Sequence, residues 1–143
     1  MVGGDPLRRL VTLDVDRART FIDWPLCWYH GGACLDRTDI AAALLAIQAG
    51  AARPATEIND RQVTHANKRW HALRVAHFVL RSEEIRGIVL HFGARTHRVA
   101  DGRHRYAAAL YLGLRVIPHV WITGSGGQRY FASADPVRSA PPP

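Results

Sequence analysis

Residues 99 to 114 read VADGRHRYAAALYLGL, with an acid, a glycine and three basic side chains set directly ahead of an apolar run. Asp101, Arg103, His104 and Arg105 gather at the mouth of a helix whose later positions Ala107, Leu110, Tyr111 and Leu114 define one apolar face. A solvated helix spreads its charges along its length. These sit in the first turn, where several backbone N–H groups lack an intrahelical partner and the helix dipole is positive. Gly102 lets the chain turn in a way closed to other residues and lets a ligand come close to the backbone. Arg103 and Arg105 offer planar forks for phosphate oxygens, His104 can donate to a phosphate or relay a proton, and Tyr106 joins them in the phosphate-binding set. Asp101 has three roles open to it: capping the helix, orienting His104, or holding Mg²⁺ through water. Helix-end attraction contributes only about 0.3–1 kcal/mol, so arginine forks and convergent N–H bonds must supply most of any affinity. The competing reading is an Asp-Gly turn capping a helix whose arginines face solvent.

The balance of charge agrees with an anionic partner. The 143 residues carry nineteen Lys plus Arg against twelve acids, a formal charge of +7, with eight histidines besides. Lys68 is the sole lysine, so the basicity is essentially that of arginine. Such a chain suits nucleic acid, a nucleotide or an acidic surface, and plain solubility is the alternative. With 48% hydrophobic and 22% charged residues the composition is globular, not disordered. No apolar run reaches the length of a membrane span, and the first residues lack the apolar segment of a secretory signal. Cys27 and Cys34 flank His30 and are compatible with a disulfide or half a metal site; the expectation is reduced thiols in a cytoplasmic protein.

The elements that must position the turn follow from periodicity. LVTLDV (10–15) alternates as a strand, and residues 17–36 form a packed irregular segment. RTDIAAALLAIQAG predicts a helix capped by Thr38 or Asp39 and closed by Gly50, with Ile40, Leu44 and Ile47 on one face. The longest helix is expected over 64–84, capped by Thr64, with Trp70, Leu73, His77 and Leu80 as its buried stripe. GIVLHF and RVA read as strands on either side of a turn, then comes the helix of the opening stretch. RVIPHVWI is a strand whose Pro118 demands an edge or a bulge, and GSGG leads into a last strand, QRYFA. The fold class is α/β (α+β): one compact domain over 1–134, a small mixed sheet packed with helices, and a frayed tail over 135–143.

GIVLHFGARTHRVADGRHRYAAALYLGLRVIPHVWI, residues 87–122, resembles the core of the ParB/sulfiredoxin superfamily: a glycine-basic turn at a helix start, a small-residue helix, and a strand of the IPxxV kind. Arg103 stands where sulfiredoxins have a cysteine, so the resemblance does not imply sulfinic acid reduction. The glutamate of the chromosome-partitioning GERRW turn is absent, and so is room for that group's helix-turn-helix reader. The turn is also similar to the DGHHR of free serine kinases. The nearest resemblance is to plasmid fertility-inhibition and oncogenic-suppression factors, stand-alone domains of this type with ATPase and DNase activity that interfere with conjugative transfer.

The resemblance implies ATP, or another nucleotide, with Mg²⁺ at 101–105, DNA as a second partner, and contact with a protein of a conjugation apparatus. It implies an acid upstream of the turn, for which Glu57 and Asp60 are the candidates; the alternative is that both are ordinary loop acids. The expected catalytic set is Glu57, Asp101, His104 and Arg105, with Asp101 and Asp60 at the metal. Arg61, Arg69, Arg95 and Arg98 are candidates for DNA phosphates, with Arg53 beside them. Trp70, Trp121 and Tyr130 are aromatic enough to stack bases, although core packing suits the tryptophans better. Two other function classes remain open: a catalytically silent module that blocks a conjugation or partitioning protein, and a small-molecule kinase.

Overall fold

The computed structural model describes residues 9–28, 32–56, 67–93 and 97–124. The alternating residues near the start form β1 (Arg9–Asp14), with Val11 and Leu13 turned inward. Asp14 ends the strand by accepting the Arg17 backbone N–H at 3.1 Å, which caps the single turn α1 (Val15–Ala18). The irregular stretch beyond it holds two short strands, β2 (Leu26–Cys27) and β3 (Cys34–Leu35), paired antiparallel with Cys27 opposite Cys34. The two sulfurs are bonded to each other. The expectation of reduced thiols is therefore corrected. The half metal site falls with it, since metal binding needs thiolate, and so does the argument from free thiols for a cytosolic location.

Helix α2 (Arg37–Gln48) is capped two residues earlier than Thr38, by Asp36. Its carboxylate accepts the Thr38 and Asp39 backbone N–H groups at 2.9 and 3.3 Å, and Asp39 accepts the Asp36 N–H at 2.9 Å in return. Helix α3 (Lys68–Leu80) is capped by Asn67, which accepts the Trp70 N–H at 3.0 Å; Thr64 lies outside the described residues. Its buried residues are His71, Ala72, Val75, Ala76 and Phe78, one position away from the expected stripe. Trp70 and Leu73 are only half-buried, and Leu80 is exposed. The reason is that α3 packs against two neighbours, α2 and the helix that follows the basic turn. Contact on two sides draws the small alanines inward, where they allow close helix approach. His77 instead turns to Glu84 at 3.1 Å, so it is satisfied at the helix end and is not a core residue.

The remaining elements are β4 (Val89–Phe92), β5 (His97–Asp101), α4 (Arg103–Leu112) and β6 (Val116–Thr123). The main sheet has the order β1-β6-β4-β5. β4 and β6 run parallel and are linked through β5 and α4, while the other pairs are antiparallel. The fold is therefore the expected small mixed sheet packed with helices. β6 lies inside the sheet, so Pro118 takes the bulge of its two permitted positions. Val11 pairs with Val120 and Leu13 with Ile117, which leaves Pro118 and His119 opposite Thr12. His119 adopts φ 57° there, and the extra residue returns Val120 and Ile122 to the buried face. Among the described residues no helix is long and apolar enough to cross a membrane. The expected last strand and the tail over 135–143 lie outside the described residues.

Helix α4 is enclosed on all sides, with Tyr106 through Leu110 all buried. Its far end is closed by Gly113 in a left-handed conformation, with Gly113 N–H donating to Leu110 and Leu114 N–H to Ala109. Arg37 of α2 donates to the Leu110 and Tyr111 carbonyls at 3.2 Å each and lies over the Tyr111 ring. The near end starts at Gly102, whose φ of 82° suits glycine. A Cβ at Gly102 would stand 3.1 Å from Ile88 Cγ1 and 3.2 Å from Ile88 Cα, so conformation and space both require glycine. Gly102→Ala is expected to cost about 1–3 kcal/mol. Urea unfolding monitored by circular dichroism checks this, and an unchanged midpoint would contradict the assignment.

Candidate functional site

The charges of the sequence motif meet in a cleft of about 290 Å³ at the start of α4. Its walls are the end of β5 with Asp101, the turn from Gly102 to Arg105, Arg74 and Phe78 of α3, and Trp28 just after β2. Three guanidinium groups therefore line one small space. Arg74 donates to the carbonyls of Ala55, at 3.1 Å, and Thr56, and its head lies 4.6 Å from the Phe78 ring centroid. Arg105 rests on the same ring at 5.1 Å and has no hydrogen-bond or ion-pair partner among the described residues. Arg103 donates to Val99 O at 2.8 Å and lies 5.9 Å from the Trp28 ring centroid. Aromatic faces thus hold like charges near one another, an arrangement that an anion between them would relieve. No side chain caps α4, so its first-turn N–H groups are also without a capping acceptor.

His104 is held differently from expectation. Its Nε2 lies 2.9 Å from Nδ1 of His71, a residue of α3 that is 0% exposed. The Trp28 ring stacks on both imidazoles, with centroids 4.5 Å from His71 and 4.7 Å from His104, and Trp70 meets both edge-on. Desolvation keeps the His104 imidazolium form well below its usual range, and His71, Arg74, Arg103 and Arg105 add to the effect in that order. His104 is therefore a neutral ring at pH 7. Asp101 is exposed, does not cap α4 and is not bonded to His104; it lines the cleft beside the turn.

Gly102, Arg103, His104, Arg105 and Asp101 thus line one cleft. Tyr106, expected beside them, is corrected to a core residue. It is 0% exposed, and its hydroxyl donates to Ile22 O at 2.6 Å, with burial pushing its ionisation up. Arg69 lines a groove between α2 and α3, while Arg98 lines a depression beside β2, so these two do not mark one common groove. Glu57, Asp60, Arg61, Arg95 and Tyr130 lie outside the described residues. Sequence reasoning missed His71, Arg74, Phe78 and Trp28. The first three recur at i, i+3 and i+7 on α3, a helical stripe that a register shift by one residue from the chosen stripe would have exposed.

The half-buried, neutral His104 makes stability depend on pH with a definite sign. The unfolded chain takes up a proton at His104 below its ordinary value of 6.5, while the folded chain resists it. Stability from this group is full above 6.5 and is lost as pH falls below it. The loss approaches about 1.4 kcal/mol per pH unit for one proton. Urea unfolding at pH 7.5, 6.0 and 5.0 should show this decline, with a shallower slope in His104→Gln. Tyr106→Phe leaves the Ile22 carbonyl without its donor and is expected to cost about 1–3 kcal/mol while leaving affinity for pyrophosphate unchanged. Calorimetric titration and urea unfolding read the two effects separately. The chain matches no protein-family model, no curated protein and no solved structure.

Proposed function

We propose that the protein binds the phosphates of a nucleotide at the start of α4 and acts as a ParB/sulfiredoxin-like ATPase and DNase on plasmid or transfer DNA, interfering with conjugation. The observation that supports this reading is the lining of one cleft by Arg74, Arg103, Arg105, His104 and an uncapped helix start. Phosphoryl transfer requires charge stabilisation and a positioned nucleophile more than covalent help from the protein. The three guanidinium groups and the helix N–H groups supply the stabilisation. At about 290 Å³ the cleft sits at the small end of ligand sites, sized for a di- or triphosphate with the nucleoside outside it.

Among the described residues no group of three His, Cys, Asp or Glu is placed to hold a metal ion. Mg²⁺ fits the cleft on other terms, since it keeps most of its waters and commonly takes one or two carboxylates plus substrate phosphates. Asp101 is the carboxylate available to it there. When bound, Mg²⁺ would offset phosphate charge. Asp101 itself remains exposed at the rim, and the arginines hold the non-metal oxygens.

The test uses labelled ATP and supercoiled plasmid, each with and without Mg²⁺, on the unaltered protein and on Arg105→Ala and His104→Ala. Expected is metal-dependent turnover that falls tenfold or more in both variants, tenfold corresponding to about 1.4 kcal/mol. DNA binding should weaken steeply as salt rises. Equal background in all three proteins would overturn the enzyme reading in favour of an interaction module. Transfer of label to a hydroxyl compound with no effect on DNA would favour a small-molecule kinase.

A further inference from the structure

The pairing of two imidazoles inside an aromatic box has a consequence for the cleft. His71 and His104 come from different helices, α3 and α4, yet their rings lie within 16° of parallel and share one short contact between Nδ1 and Nε2. With one hydrogen in that contact, the tautomers of the two rings are coupled. If His71 donates, His104 must carry its own hydrogen on Nδ1. If His104 donates, its Nδ1 is bare. Because Nε2 is engaged with His71, Nδ1 is the nitrogen that His104 has left for a ligand in the cleft it lines.

We propose that His71 is a positioning residue that sets the tautomer of His104, so that His104 meets a phosphoryl oxygen as a neutral Nδ1–H donor. The inference rests on the phosphate reading of the cleft and adds how its histidine works. A fully ionised phosphoryl group only accepts hydrogen bonds, so it selects the state in which His71 donates to His104. Trp28 and Trp70 keep the rings from turning out of this relation. Among the described residues the charged groups facing the pair are Arg74 from α3 and Arg103 and Arg105 from α4, with Asp101 of β5 also lining the cleft. Three cations already supply the positive charge, and a fourth on His104 would repel them. A neutral donor adds a directed bond without that repulsion, and it does so unchanged across the range where a free histidine titrates.

The probe is inorganic pyrophosphate, titrated into the full chain at pH 5.5 to 8, with His104 nitrogens followed by ¹⁵N NMR. The unaltered protein should bind with Nδ1 of His104 protonated and Nε2 not, and the His104 signals should titrate only below the range of a free imidazole. His71→Phe keeps a ring against Trp28 but removes the donor, and His71→Asn restores an amide N–H near the Nδ1 position. Expected are a three- to tenfold loss of affinity in His71→Phe with a His104 that changes tautomer, and recovery of at least half of the loss in His71→Asn. Near-ultraviolet circular dichroism separates a lost fold from a lost donor; should His71→Phe not fold, the tautomer in the unaltered protein decides. Pyrophosphate bound with His104 protonated on Nε2, or as imidazolium at pH 7, overturns this inference alone. No pyrophosphate binding by the unaltered protein overturns both it and the phosphate reading.

Discussion

The contact between Gly102 and Ile88 governs where everything else in the cleft can be. Gly102 takes a left-handed turn beside Ile88, and a Cβ there would meet Ile88 atoms at 3.1–3.2 Å. That close approach joins the end of β5 to the start of α4 with no intervening loop. Because Tyr106 to Leu110 are all buried, the middle of α4 has no exposed face that could carry charge. Arg103, His104 and Arg105 are held in the one turn that projects beyond the core. The basic cluster is thus a consequence of a buried helix meeting a strand through a single glycine.

Helix α3 completes the arrangement by bringing groups of its own to the same place. It supplies Arg74, whose head is fixed on the Ala55 and Thr56 carbonyls, and Phe78, on which both Arg74 and Arg105 rest. It also supplies His71, buried and in contact with His104. Gathering three guanidinium groups costs electrostatic energy, which the aromatic faces and backbone carbonyls they contact offset. Desolvation first, and the neighbouring cations after it, keep the site's histidine uncharged. The disulfide between Cys27 and Cys34 adds a further constraint, since Trp28 follows Cys27 directly and forms the wall on which both imidazoles stack.

What the sequence leaves open or misplaces has a common physical cause. Pro118 was compatible with an edge or a bulge, and only the pairing of β6 on both sides decides for the bulge. Helical spacing points to a stripe of Trp70, Leu73, His77 and Leu80 on α3, whereas packing against two helices favours alanines and draws in His71. Tyr106 reads from sequence as one of the phosphate-binding set; its hydroxyl instead satisfies a backbone carbonyl that lies 84 residues away in the chain. Each outcome depends on a neighbour distant in sequence, and periodicity carries no information about such neighbours.

The chain by itself determined the mixed class of the fold, the order of most elements, and the turn where glycine, arginines and histidine stand together, because these follow from spacing and from local backbone chemistry. Tertiary structure alone decided which residues share the cleft with that turn. Trp28, His71, Arg74 and Phe78 come from segments 25 to 75 residues upstream of it, and they meet it only because α4 is buried between the sheet and α3. It also decided that His104 is neutral and that the cysteines are paired, since both depend on burial and proximity created when the helices and strands close on one core.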